Sequence, residues 1–338
     1  MKYGVIDVGS NTVRLCVYDV SADGKKFKTI VNRKITAGLA SYVEGGALSD
    51  KGIEVAIESV RRCLKRAALL DVARVDVFAT AVLRNISNSA EAVSAVEKGA
   101  GCSIALLSDE DEAHLGFVGA CHEDVLDNGV LVDIGGGSAE VTLVAAGNDV
   151  MRASLPIGSL SSYKKHVADI LPTPQEAEAI KRDTAALLDA EPSGIVEHRV
   201  KKLFGVGGSI RAIAETNALL RPEASYSDIS RADAEALAVD VTENRRAFID
   251  AVLHTSPERL HTISCGLAVL LEIFERFDAQ TLHVCENGVR EGFLIERMLG
   301  GGSARVEGRS AAKKPATAEA AKKSVAKKAP AAKKPVTR

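Results

Sequence analysis

Residues 5–15, VIDVGSNTVRL, and residues 131–141, LVDIGGGSAEV, are two copies of one pattern: a short apolar strand, an aspartate, a glycine turn, a hydroxyl and a second strand. A constant offset of 126 lays Asp7-Val8-Gly9-Ser10-Asn11-Thr12 on Asp133-Ile134-Gly135-Gly136-Gly137-Ser138 without a gap, and Val13, Leu15 and Val17 on Ala139, Val141 and Leu143. The flanking sequence repeats on a larger scale. Strands are expected at 3–8, 13–20 and 27–35, followed by a helix over 49–70 that starts on a Ser-Asp cap signal. A strand at 74–79, a helix at 88–99, a strand at 103–107 and a helix at 109–121 complete the first unit. From residue 129 three strands return, then helices at 159–169 and 174–189, a strand at 200–206, helices to 277, a strand at 280–285 and a helix at 289–299. Two such units predict a duplicated α/β architecture with a cleft between halves, divided as 1–125 and 126–300.

The chain has 338 residues, 46% of them hydrophobic and 26% charged, which suits about two globular domains and excludes a fibrous or wholly disordered protein. Its net charge of −2 averages two unlike pieces. Residues 301–338 carry eight Lys, three Arg and two Glu, against 32 basic and 43 acidic side chains in the first 300 residues. The Lys/Ala/Pro-rich 301–338 has almost no large apolar side chains, so it is expected to be a disordered basic tail able to bind polyanions. An acidic body would repel a polyanion unless the cleft itself is locally basic.

The six cysteines are scattered singly with no CxxC pair, and are expected to be buried apolar side chains rather than disulfides or zinc ligands. The opening MKYGVIDVGS reaches an aspartate too early for a secretory leader, and no run approaches 18 uncharged apolar residues. A cytoplasmic, soluble protein without membrane contact is expected.

An Asp-Gly turn can gather main-chain N–H groups around an anion, with Ser10, Thr12 or Ser138 adding a hydroxyl donor. An aspartate beside that cradle would repel phosphate unless a divalent cation intervened. Asp7, Asp133 and Glu140 therefore form a candidate hard-oxygen site for Mg²⁺, with Mn²⁺ as a substitute. There is no GxxxxGK[ST] loop, no GxSxG elbow and no HxxxH spacing, which disfavours a Walker-type NTPase, a serine hydrolase and a histidine metal centre.

The segments VIDVGSNTVRL, TAVLRN (80–85), LLSDEDEAHLGFVGA (106–120), LVDIGGGSAEV, SLPIGS (154–159), FGVGGSIRA (204–212) and NGVREGF (287–293) resemble, in order, the motifs of the exopolyphosphatase/guanosine pentaphosphate phosphohydrolase family. The resemblance implies two ribonuclease H-like domains of the actin-like ATPase fold around a phosphate-binding cleft, in the short form without additional helical domains. It also implies Mg²⁺-dependent removal of terminal phosphate from inorganic polyphosphate, or from pppGpp in the same cleft. The family's Ser-Gly-x-Glu-Glu-Ala segment falls on Ser108–Ala113, which makes Glu112 the general base. Here Asp109 replaces the Gly, Asp111 the first Glu, and His114 stands where many relatives have Arg.

Arg84 matches the family's phosphate-contacting arginine. Ser10, Asn11, Thr12 and Arg14 belong to the first phosphate clamp, and Gly135, Gly136, Gly137 and Ser138 to the second. Gly207, Gly208 and Ser209 resemble the third, nucleotide-side loop. A homodimer is carried as the candidate assembly. Two other classes stay open: a small-molecule kinase on the same fold, and a non-catalytic polyphosphate or nucleotide sensor, which the altered residues around Glu112 keep in play.

Overall fold

The computed structural model describes residues 1–24 and 26–299; Lys25 and the basic segment 301–338 lie outside the described residues. The chain opens with an antiparallel meander, β1 (Lys2–Val8), β2 (Thr12–Val20) and β3 (Phe27–Thr36). A two-stranded ribbon follows, β4 (Val43–Glu44) with β5 (Ala47–Leu48). Next come α1 (Asp50–Leu69), β6 (Arg74–Ala79), the single turn α2 (Ala81–Arg84), α3 (Ser89–Ala100), β7 (Ile104–Leu106) and α4 (Asp109–Ala120). The second meander is β8 (Gly129–Ile134), β9 (Ala139–Ala145) and β10 (Asn148–Leu155). After it come α5 (Ser159–His166), α6 (Pro174–Asp189), β11 (Lys202–Val206), α7 (Gly207–Leu220), β12 (Asp228–Ser230), α8 (Arg231–Thr242), α9 (Arg245–Thr255), α10 (Ile263–Phe277), β13 (Thr281–Val284) and α11 (Val289–Leu299).

The first sheet has the order β3-β2-β1-β6-β7 and the second β10-β9-β8-β11-β13, with β12 added antiparallel at its edge. The duplication holds at the level of single hydrogen bonds. Gly9 N–H donates to Thr12 O at 3.1 Å, and 126 residues on, Gly135 N–H donates to Ser138 O at 2.9 Å. Asp7 stands opposite Arg14 across β1–β2, as Asp133 stands opposite Glu140 across β8–β9. The sequence reading placed nearly every element. It missed the β4–β5 ribbon, α2 and β12, whose two to four residues are too few to show a period.

Helix α4 joins the halves. Its N-terminus is set by a capping box in which Ser108 Oγ accepts from Asp111 N–H at 3.0 Å and the Asp111 carboxylate accepts from Ser108 N–H at 3.3 Å. The aspartate in place of the family's Glu thus still closes the box. The helix is apolar on more than one side because both sheets cover it. Leu115 packs with Tyr3, Tyr18 and Phe78 of the first half, while Phe117 and Ala120 pack with Leu131, Val144 and Phe204 of the second.

Helix α11 returns to the first half, burying Phe293 and Leu294 in the cluster that holds Leu115. The two helices cross so closely that side chains are excluded at the contact. A Cβ on Gly119 would lie 2.0 Å from Gly288 O, and one on Gly292 would lie 1.9 Å from Leu115 O. At Gly116, one turn away on α4, the nearest atom to an added Cβ is Val289 Cγ2 at 3.8 Å, an ordinary contact.

Two alanine substitutions on one helix should therefore have opposite signs. Gly119→Ala is expected to destabilise by about 1–3 kcal/mol through overpacking. Gly116→Ala should be neutral or stabilising by up to about 1 kcal/mol, because it lowers unfolded-chain entropy without a clash. Urea unfolding of both variants beside the parent chain measures the difference.

Candidate active site

The two duplicated turns face each other. An added Cβ on Gly136 would meet Ser10 Cβ at 3.3 Å, and one on Gly137 would meet Ser10 Oγ at 3.0 Å, so the loops after β1 and β8 are in contact. Between them and the start of α7 lies a cleft. Asp7, Ser10, Asn11, Thr12, Arg14, Glu112, Asp133, Gly135, Gly136, Gly137, Ser138, Gly207, Gly208 and Ser209 all line it. These sequence-selected residues come from opposite ends of the chain. Each loop follows a strand whose carboxyl end opens onto the cleft, the usual place for a ligand in a sheet of this kind.

Gly207 is fixed by its surroundings as well as its backbone. Its φ of +84° favours glycine, and a Cβ there would sit 2.1 Å from Asp133 Oδ1. The glycine lets the N-terminus of α7 approach the aspartate at the end of β8.

Arg84 and Glu140 are placed differently from the other selected residues. Neither lines the cleft. Arg84 lies behind Glu112, where its Nη1 donates to Glu112 Oε2 at 2.8 Å and to Leu107 O at 2.9 Å. Its Nη2 is 2.5 Å from Asp109 Oδ1. The aspartate at 109 therefore has a local role: it shares the guanidinium that holds the buried glutamate. Arg84 acts on the cleft through Glu112 rather than by reaching into it. Glu140 is buried beneath, accepts from Ser154 Oγ at 3.0 Å, and shares a small internal cavity with Glu112 and Asp133.

His114, the other departure from the motif, points elsewhere. Its Nδ1 is 2.7 Å from Asp149 Oδ2 and its Nε2 3.0 Å from Glu296 Oε1, linking α4 to β10 and α11.

Three arginines that sequence reasoning did not select complete the cleft: Arg211 on α7, Arg259 and Arg290. Arg211 and Arg290 lie within quoted motifs, FGVGGSIRA and NGVREGF, so their presence was visible although their direction was not. Nothing local marks Arg259. Its Nη1 donates to Ser209 Oγ at 3.3 Å, and it comes beside the α7 terminus only through the tertiary fold.

Arg290 is buried, with Nη1 3.9 Å from Asp7 Oδ2 and with Nε lacking a hydrogen-bond partner. Its neighbour Glu291 points away from the cleft, accepting from Tyr18 Oη at 2.6 Å and from Gly288 N–H at 3.0 Å. That pair of bonds fixes the start of α11 and with it the aim of Arg290.

Burial dominates the electrostatics. Arg14 and Arg259 are each held down to about 10, by desolvation first and then by Arg290 and Arg211 respectively. Asp7 and Asp133 are both pushed up by burial; Arg290 and Arg14 oppose the shift at Asp7 while Glu291 adds to it, and Arg211 and Arg290 oppose it at Asp133 while Asp7 adds to it. Glu112 is pushed up to about 7 by burial, against the pull of Arg84, with Asp133 and Asp7 adding to the rise. Glu140 is raised by burial and then by Glu112.

The basic cleft answers the charge problem posed by an acidic body: four guanidiniums line one cleft, and an anion among them would relieve their mutual repulsion. Asp7 and Asp133 face the same cleft as two desolvated carboxylates of like charge. They fit a hard divalent cation such as Mg²⁺ or Mn²⁺.

A family model described as the Ppx/GppA phosphatase family matches residues 17–300. Among solved structures, an exopolyphosphatase from Cytophaga hutchinsonii superposes with a TM-score of 0.77 at 20% identity, covering 89% of this chain and 98% of its own. A Ppx/GppA family member from Aquifex aeolicus superposes with a TM-score of 0.70 at 23% identity, covering 90% of this chain and 99% of its own. These likenesses establish the fold, the actin-like ATPase architecture expected from the motifs. Among the described residues no helix is long and apolar enough to cross a membrane.

The Arg84–Glu112 pair makes a directional prediction. Arg84 lowers the Glu112 pKa, so Arg84→Gln should move the carboxyl titration above about 7. Carbon-13 NMR of Glu-labelled protein across the neutral range reads the shift, and an unmoved midpoint would show that the pair does not couple.

Proposed function

This chain belongs to the Ppx/GppA phosphatase family, and on that footing we propose that it is an exopolyphosphatase that removes terminal orthophosphate from inorganic polyphosphate. The observation that carries the reading is the convergence of Arg14, Arg211, Arg259 and Arg290 with two glycine turns and a helix N-terminus around one cleft. The lining also contains little on which a purine ring could stack. Phe78, its sole aromatic side chain among the described residues, is fully buried. That favours a bare phosphate chain over pppGpp.

In this reading the terminal phosphate lies between the turns at 7–14 and 133–138. Backbone N–H groups, Ser10, Asn11, Thr12 and Ser138 hold its oxygens, and Gly207, Gly208 and Ser209 receive the following phosphates. The arginines neutralise charge and fix the chain in line. Asp7 and Asp133 would hold Mg²⁺, which supplies further charge neutralisation at the phosphate when bound. Glu140 sits behind this pair, in the internal cavity that Asp133 also lines.

Glu112 takes a proton from the attacking water as the new P–O bond forms. The bridging P–O bond breaks on the opposite side, and the shortened chain leaves with its electron pair. Arg84 is a positioning residue for that base. Most of the rate gain comes from alignment and charge stabilisation, as in other phosphoryl transfers.

The base must be ionised to act. With Glu112 near 7, orthophosphate release should rise with pH through the neutral range and level off above it. Glu112→Gln should lower the rate by roughly 10²–10⁴ and flatten the profile. The assay compares short and long polyphosphate, pppGpp and ATP with Mg²⁺. A faster rate with pppGpp would overturn the substrate choice, and binding without release from any of them would make the protein a sensor.

The lysines of 301–338 are proposed to capture polyphosphate by charge alone. Removing residues 303–338 should raise KM for long polyphosphate more than for short and weaken its salt dependence. An unchanged KM and salt dependence would rule the capture role out.

A further inference from the structure

Outside the cleft, β13 and the turn after α4 bring together three side chains of unlike chemistry. His283 and Cys285 are two residues apart on an extended segment, so they project to the same side. Asp124 reaches them from the turn that follows α4. One ligating atom from each of Asp124, His283 and Cys285 lies within 4.8 Å of the other two. His283 Nε2 is 3.1 Å from Asp124 Oδ1, and its Nδ1 is 2.9 Å from Asp228 Oδ1 on β12.

We propose that Asp124, His283 and Cys285 form a Zn²⁺ site, with Asp228 orienting the imidazole from behind. The donor set is one carboxylate oxygen, one imidazole nitrogen and one sulfur, the mixture that suits a borderline-soft tetrahedral ion and not Mg²⁺. At usual zinc bond lengths, neighbouring ligand atoms in a tetrahedron are about 3.3–3.7 Å apart. The His283 Nε2–Asp124 Oδ1 separation of 3.1 Å is close to that spacing.

Asp228 supplies the outer partner that zinc-bound histidines normally have. When Nδ1–H donates to Asp228, the lone pair of Nε2 is left facing the carboxylate of Asp124, an arrangement that a cation between them resolves. Asp124 and His283 are part-exposed, with side chains 25% and 22% accessible, while Cys285 is fully buried. An ion would therefore enter from the surface and take the thiolate as its innermost ligand. The fourth position would be filled by water, as in three-ligand zinc sites.

The sequence reading dismissed zinc because it sought CxxC and HxxxH spacings. Here the ligands are Asp124, from a turn, and the pair His283-x-Cys285 at the end of β13. The site would tie the end of α4 to β13, just before the segment that leads through Gly288 to Arg290. Its role would be structural, apart from the cleft chemistry.

The test uses the full chain, stripped with chelator and then dialysed against Zn²⁺ in excess Mg²⁺, which occupies the cleft carboxylates. One Zn²⁺ per chain should remain, and Co²⁺ in its place should give a thiolate charge-transfer band and tetrahedral d–d absorption. Cys285→Ser and His283→Gln should lose both the ion and the band. Asp228→Asn should lower Zn²⁺ affinity about 10–100-fold. Glu112→Gln should retain both. Circular dichroism checks that all the variants fold, and zinc-free orthophosphate release checks it for those at Cys285, His283 and Asp228. No retained zinc in the parent chain, or equal retention in Cys285→Ser and His283→Gln, overturns the proposal and leaves His283 hydrogen-bonded between Asp124 and Asp228.

Discussion

The close crossing of α4 and α11 is the constraint on which the rest of the molecule depends. Gly119 and Gly292 let the two helices touch through backbone, and that contact is wedged between the two sheets. The first turn of α4 carries Glu112, and the start of α11 carries Arg290. Two of the charged groups that enter the cleft from outside the duplicated turns are therefore fixed by one packing event. Had either glycine carried a side chain, the helices would separate and both groups would shift together. Positional accuracy of this kind matters because small displacements of a reacting group weaken phosphoryl transfer steeply.

Around that contact the protein keeps several charges in a desolvated state. Asp7, Asp133, Glu112 and Glu140 are all raised by burial, and Arg14 and Arg259 are lowered by it. An interior selected for stability alone would replace such groups with apolar side chains. All but Glu140 line one cleft beside the glycine turns, so the strain of burying charge is concentrated there. Arg84 shows how the strain is contained: it anchors Glu112 from behind, with Asp109 sharing its charge.

Most of the fold was legible because its signals are local and repeated. The 126-residue offset foretold equivalent turn hydrogen bonds at Gly9 and Gly135, and the strand ends bearing Asp7 and Asp133 converge as the duplication requires. What was not legible depends on direction and on distance along the chain. The TAVLRN motif reveals an arginine after a strand, but not that its guanidinium turns behind Glu112. NGVREGF reveals two charges, but not that Arg290 enters the cleft while Glu291 turns to Tyr18. Arg259 and the Asp124–His283 pair, 159 positions apart, become neighbours only after folding.

The paired strands that begin each half carry one difference with a long reach. The position held by Arg14 in the first is held by Glu140 in the second, each opposite an aspartate. Arg14 lines the cleft while Glu140 lies buried beneath it, so the cation that one flank of the twofold scaffold presents is not repeated at the equivalent place on the other, and the two halves are no longer interchangeable. A linear phosphate polymer has identical ends and no inherent direction. On the proposed function it would acquire one inside this cleft, because the wall that carries Arg14 differs from the wall of Gly135, Gly136, Gly137 and Ser138.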